Sequence, residues 1–135
     1  MIEIPDNELV QLLSGRRPEI EVGTLPYEVR KHLGCSRDTI YLSSESAIHI
    51  LRKHGDHINV DEFKSLPLVL RNGLWIADRR NHCAVSFESQ EKTRYKAVIK
   101  VTEDRRRTYV QTLHKTAKRQ TKSLIARGKI LREHW

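Results

Sequence analysis

Cysteine is scarce in this chain. Cys35 and Cys83 are the only two in 135 residues, and they form no C-x-x-C pair. That excludes a zinc ribbon and a redox dithiol of the usual spacing, and suits two buried or free thiols in a reducing compartment. Long apolar runs are also missing. No stretch approaches the roughly 18 apolar residues of a membrane span, so no membrane partner is expected. The opening "MIEIPDNELV" is acidic and carries no apolar core, so no secretory leader is expected. There is no internal repeat, no low-complexity tract and no H-E-x-x-H. A cytoplasmic protein is expected, or one delivered into the cytoplasm of a target cell.

Negative charge is scarce at one end only. Residues 92–135 hold 14 Lys/Arg against 3 Asp/Glu, a net of +11. Residues 1–91 hold 11 against 14, a net of −3, and the whole chain stands at +8. Such asymmetry points to a polyanionic partner, RNA first among them, or to an acidic protein such as an immunity protein or antitoxin that masks the basic half. A solvated basic face with no partner is the plainer alternative.

The length fits a single domain, residues 1–135. Helical patterns come first. "DNELVQLLS" has Asp6 or Asn7 as a cap and Gly15 as a stop; "TLPYEVRKHLG" has a Thr cap, an early Pro and a final Gly. "EIEVG" and "DTIYLS" read as short strands. "SAIHILRKHGDH", residues 46–57, is a helix capped by Ser43 or Ser44 and ended by Gly55. "NVDEFKSLPLVLRNG" is helical and bent by Pro67. Then "LWIADRR", "CAVSFES", "RYKAVIKVT" and "TYVQTLH" alternate at hairpin spacing. The expectation is an α+β fold: N-terminal helices, a four-stranded antiparallel meander and a basic C-terminal helix.

Three histidines crowd the 46–57 helix. At 100° per residue, Ala47, Ile50 and Leu51 form the apolar face. His49 and Lys53, four apart, share the opposite side with Arg52 nearby, while His54 lies among the apolar side chains. His57 falls beyond Gly55 and drops from consideration. A metal site is not expected. His49 and His54 are five apart, which aligns no two ligands on one face, and His82-Cys83 is a lone pair. A histidine titrates near neutral pH, with an ordinary pKa of about 6.5, so acid–base chemistry needs less. RNA carries its own nucleophile, the 2′-OH. Its cleavage needs a base, an acid and donors for the charge that develops on phosphate, with no cofactor. Core packing, or a polar face in water, is the ordinary alternative for each of these residues.

Strand alternation puts Lys96, Val98 and Lys100 on one face of "RYKAVIKVT". In "TYVQTLH" it puts Thr108, Val110, Thr112 and His114 on one face, with Tyr109, Gln111 and Leu113 on the other. The lysines could floor a phosphate site, Thr112 could donate to it, and Tyr95 or Tyr109 could stack on bases.

The blocks "VGTLPYEVRKHLG", "IYLSSESAIHILRKHG", "LPLVLRNG", "YKAVIKV" and "YVQTLHK" together resemble the phage-associated branch of the barnase–EndoU–colicin–RelE nuclease superfamily, over about residues 20–130. The resemblance implies a metal-independent endoribonuclease that leaves a 2′,3′-cyclic phosphate on tRNA or other cellular RNA, as a toxin or a phage or mobile-element effector. It places His49, Lys53 and His54, Lys96 or Lys100, and Thr112 at the site. The candidate catalytic set is then His49, ahead of His54, with Lys100 and Thr112. Candidate substrate contacts are Lys53, Lys96, Arg52, Tyr109 and Lys115. The alternative function is a non-catalytic, basic nucleic-acid-binding phage accessory module.

Overall fold

A computed structural model describes residues 3–133. The chain begins with α1 (Asp6–Leu13), β1 (Glu19–Thr24), α2 (Tyr27–Leu33), β2 (Thr39–Ser43) and α3 (Ser44–His54). A 3-10 helix (Val60–Ser65) leads into α4 (Leu66–Asn72). Four strands follow: β3 (Leu74–Ala77), β4 (His82–Glu88), β5 (Arg94–Val101) and β6 (Thr108–Lys115). The chain closes with α5 (Lys118–Arg127) and β7 (Ile130–Arg132).

The expected four-stranded antiparallel meander is corrected to a seven-stranded mixed sheet of order β1-β2-β6-β5-β4-β3-β7. Alternation along β3 to β6 sets hairpin pairing, but it does not reveal what covers their edges. On one side β2 runs parallel to β6 through Ile40↔Thr108 and Tyr41↔Tyr109, and β1 pairs antiparallel to β2. On the other, β7 pairs antiparallel to β3. The C-terminal tail is therefore not a terminal helix. It breaks at Gly128, where a side chain would strike Ile76 and come within 3.1 Å of the Ala77 carbonyl. Glycine is what lets the chain lie against β3 and add the edge strand.

Local chemistry accounts for most helix boundaries. Ser43 caps α3, accepting from the Ser46 N–H at 3.1 Å. Arg52, Lys53 and His54 occupy the last turn of α3, where cations favour the helix dipole. Asn59 and Glu62 form a reciprocal capping box on the 3-10 helix. Gly34 ends α2 at φ 68°, a left-handed conformation. Two expected caps differ. Thr24 belongs to β1, and Pro26 takes the cap position of α2; Pro5 precedes α1, and neither proline has a side chain to cap with.

The sheet buries both faces over β3 and β4, while the second face of β5 is half-buried to exposed. The larger core joins Trp75, Cys83, Val85, Ala97, Ile99, Val110 and Leu113 to buried side chains of α1 to α4. On the opposite face Leu124 of α5 packs on Ile76 and Ala84. That second face carries Lys96, Val98 and Lys100. Beyond Tyr41 the pairing of β2 with β6 stops, the chain turns helical at Ser44, and α3 runs on beside β6. A helix standing where a strand would have continued leaves a groove along β6.

Candidate functional site

That groove is a cleft of about 870 Å³. One wall is α3, presenting Glu45, His49, Arg52, Lys53 and His54. The other is β6, presenting Gln111, Thr112 and His114, with Val98 of β5 between them. Asp78 and Arg79, from the β3–β4 turn, line it as well.

A single irregularity aims the β6 side chains. Ile99 pairs with Val110, but Val98 pairs with Thr112, so Gln111 is an extra residue in β6. A bulge of this kind resets which side chains share a face. Thr108, Val110 and Leu113 all point to the main core and are fully buried. Tyr109, Thr112 and His114 pair opposite Lys100, Val98 and Lys96, on the face of the cleft. The strict alternation read from the sequence is thus corrected at Gln111: Thr112 and His114 do share a face, but not with Thr108 and Val110.

The cleft joins two histidines from distant parts of the chain. The His54 ring stacks on His114, centroids 5.0 Å apart and planes at 27°. His57 joins them, 5.3 Å from His54. The turn after α3 brings it back, because the N–H groups of His57 and Ile58 both donate to the His54 carbonyl, at 3.0 and 2.7 Å. Gly55 has φ −64°, so the turn continues the helical sense and does not throw His57 outward. The exclusion of His57 is corrected: it belongs to the cluster, where it also pairs with Asp56 at 3.1 Å.

The electrostatics favour the neutral imidazole at His54 and His114. Burial pushes His114 down to about 4, helped by the facing His54 and by Lys96, His57 and Lys53. Burial also lowers His54, with His57 and Lys53 adding to the effect and Asp56 opposing it. Two nitrogens, Nδ1 of His114 and Nε2 of His57, are buried without a protein hydrogen-bond partner. The His54 and His114 rings meet by their faces. Among the described residues, no group of three or more His, Cys, Asp or Glu could hold a metal ion.

The shift of His114 has a consequence for stability. Its folded pKa of about 4 lies below the ordinary 6.5 that the unfolded chain would show. Between these values the unfolded chain binds a proton that the folded chain refuses, so stability falls as pH falls through that window. Thermal unfolding followed from pH 7 to pH 4 should show this loss, and His114→Gln should reduce it. An equal acid sensitivity in His114→Gln would contradict a neutral buried His114.

The sequence candidates divide by place. His49, His54, Thr112, Arg52 and Lys53 line the cleft. Lys96 lies in an adjoining recess that shares His114 as a wall. Lys100 is exposed at the end of β5, outside the cleft lining. Tyr109 is engaged at the other end of β6, its hydroxyl donating to Glu19 at 2.9 Å and its ring 6.0 Å from Tyr41, over which Arg107 sits. Lys115 pairs with Glu62 at 3.2 Å, on the core side where the Tyr95 hydroxyl also donates to Glu62. Tyr109, Lys115 and Tyr95 thus have structural partners, and Lys100 stands apart from the cleft. The polar lining residues missed are Glu45, Ser46, Asp78, Arg79, Gln111 and His114. Only His114 had a signal, its placement with Thr112 in "TLH".

No protein-family model, curated protein or solved structure matches this chain. No described helix is long and apolar enough to cross a membrane.

Proposed function

We propose that this protein is an endoribonuclease that cleaves RNA by attack of the 2′-OH on the adjacent phosphorus, without need of a metal. One observation carries the reading. A histidine held toward its neutral form, His54, lines the same cleft as three cations, Arg52, Lys53 and Arg79, and the Thr112 hydroxyl. A neutral imidazole can accept a proton, and cations and donors stabilise the charge that grows on a phosphorane. His54 takes the 2′ proton as the O2′–P bond forms. The P–O5′ bond breaks, and His49, five residues earlier on α3 and also in the cleft lining, gives a proton to the departing 5′ oxygen. The products are a 2′,3′-cyclic phosphate and a 5′-hydroxyl. The sequence resemblance to the barnase–EndoU–colicin–RelE nucleases points the same way. DNA, which has no 2′-OH, would not react by this route.

The test is direct. Purified protein incubated with mixed-sequence RNA in EDTA should yield fragments ending in 2′,3′-cyclic phosphate. His49→Ala should slow the reaction, and a 2′-deoxy substitution at the scissile nucleotide should stop it. Cleavage that requires added divalent metal would reject the mechanism. Binding of RNA with no product would leave a non-catalytic nucleic-acid-binding module in its place.

A further inference from the structure

A second recess opens beside the cleft, between β5, β6 and α5, with a volume of about 220 Å³. It has its own chemistry. Lys96 of β5 and Arg127 of α5 supply two cations, and Thr116, Gln120 and Ser123 supply polar groups. Gln120 is already oriented. Its Oε1 accepts from the Ala117 N–H and from the Thr116 hydroxyl, which leaves the amide NH₂ as the outward donor. No Asp or Glu lines the recess, although the chain has 17. A pocket of cations and donors without a carboxylate fits an anion.

Its position says which anion. His114 is the one residue that lines both the cleft and the recess. On β6, Thr112 marks the cleft and His114 the boundary, and on β5 their partners are Val98 and Lys96. Two successive outward positions on a strand are about 6.8 Å apart, comparable to one phosphate-to-phosphate step along an extended nucleic-acid backbone. A strand of RNA with one phosphate at Thr112 would bring the next to His114 and Lys96, at the edge of the recess.

We infer that the recess bounded by Lys96, Arg127, Gln120 and Ser123 is a second phosphate subsite, which holds the phosphodiester next to the scissile one in a single-stranded RNA. This deepens the proposed function and rests on it for the identity of the strand. Phosphate contacts of this kind position a strand and carry no base preference. They would make the shortest well-bound substrate one with two phosphodiesters.

Binding separates this inference from the cleavage reaction. The probes are 2′-O-methyl oligonucleotides, which cannot be cut by 2′-OH attack: a dimer with one phosphodiester and a trimer with two. Fluorescence anisotropy at low salt should show the wild-type protein binding the trimer about tenfold more tightly than the dimer, the scale of a charge-assisted contact. Arg127→Gln should remove most of that increment. Ser123→Glu, an exposed position on α5, should remove it by placing a carboxylate in the recess. Arg106→Gln, which removes a cation from the exposed β5–β6 turn outside both sites, should keep it. The inference is overturned if wild type shows no increment, or if the increment survives both Arg127→Gln and Ser123→Glu. An increment that behaves as expected, together with unmodified RNA left intact, would sustain the subsite and defeat the endoribonuclease.

Discussion

Replacing His54 by Ala should lower the cleavage rate by a factor of about 10²–10⁴, the usual contribution of a positioned acid or base. The expectation moves the weight from His49, which the sequence ranks first, to His54. His49 is exposed on α3. His54 is half-buried, stacked on His114, and lowered in pKa by burial and then by His57 and Lys53. A base must be unprotonated to act. Lowering its pKa below the ordinary 6.5 keeps it competent in mildly acidic solution, so the acid limb of kcat/KM should lie below 6.5. Activity is present above that limb and lost as pH falls through it. The limb also gives a readout that simple misfolding cannot imitate. His57→Gln removes the largest charged contributor to the shift while leaving the base in place, so it should move the limb upward. A His54→Ala protein that retains full activity, or a limb that does not respond to His57→Gln, would remove His54 from the role.

How much of this could be read from the sequence follows from the range of each signal. Caps and alternation act within a few residues, and they located α3, its Ser43 cap and the strands from β3 to β6. The edges of the sheet depend on pairing across long separations. Ile40 meets Thr108 and Trp75 meets Arg132, and no local pattern encodes either, so the four-stranded expectation fell short. The bulge at Gln111 is a mismatch between two strands and is not visible in one. It explains why the face assigned to Thr108 and Val110 was wrong while Thr112 and His114 stayed together. The site followed the same division. The residues on α3 were legible because helical spacing groups them. His114 could be read only as a neighbour of Thr112 on one strand face; its stacking on His54, sixty residues earlier, could not. Lys100 was chosen by strand alternation and by the resemblance, Tyr109 and Lys115 by ring type and charge, and the last two already have partners within the fold.

Trp75→Ala should produce the largest loss of stability, about 3–5 kcal/mol, the range for deleting a large aromatic from a packed core. Trp75 sits on β3, fully buried, among the side chains of the main core. It also does something a hydrocarbon would not. Its indole N–H donates to the Leu70 carbonyl at 3.0 Å. Leu70 lies in the last turn of α4, where backbone carbonyls have no helical partner. The ring thus fills the core and closes the end of the helix packed beside it. Trp75→Phe separates the two effects. It keeps most of the apolar volume but leaves a carbonyl with no donor, which should cost about 1–3 kcal/mol. Against a typical total of roughly 5–15 kcal/mol, the alanine variant loses a large share, and urea unfolding should show a lower midpoint. The same experiment tests the separation of core from site. Trp75 faces away from the cleft, on the opposite side of the sheet from Val98 and Thr112. Each molecule of Trp75→Phe that remains folded should therefore cleave RNA at the wild-type rate, with the wild-type acid limb. A lowered rate per folded molecule would mean that the core sets the position of β6, and hence of Thr112 and His114, through the sheet.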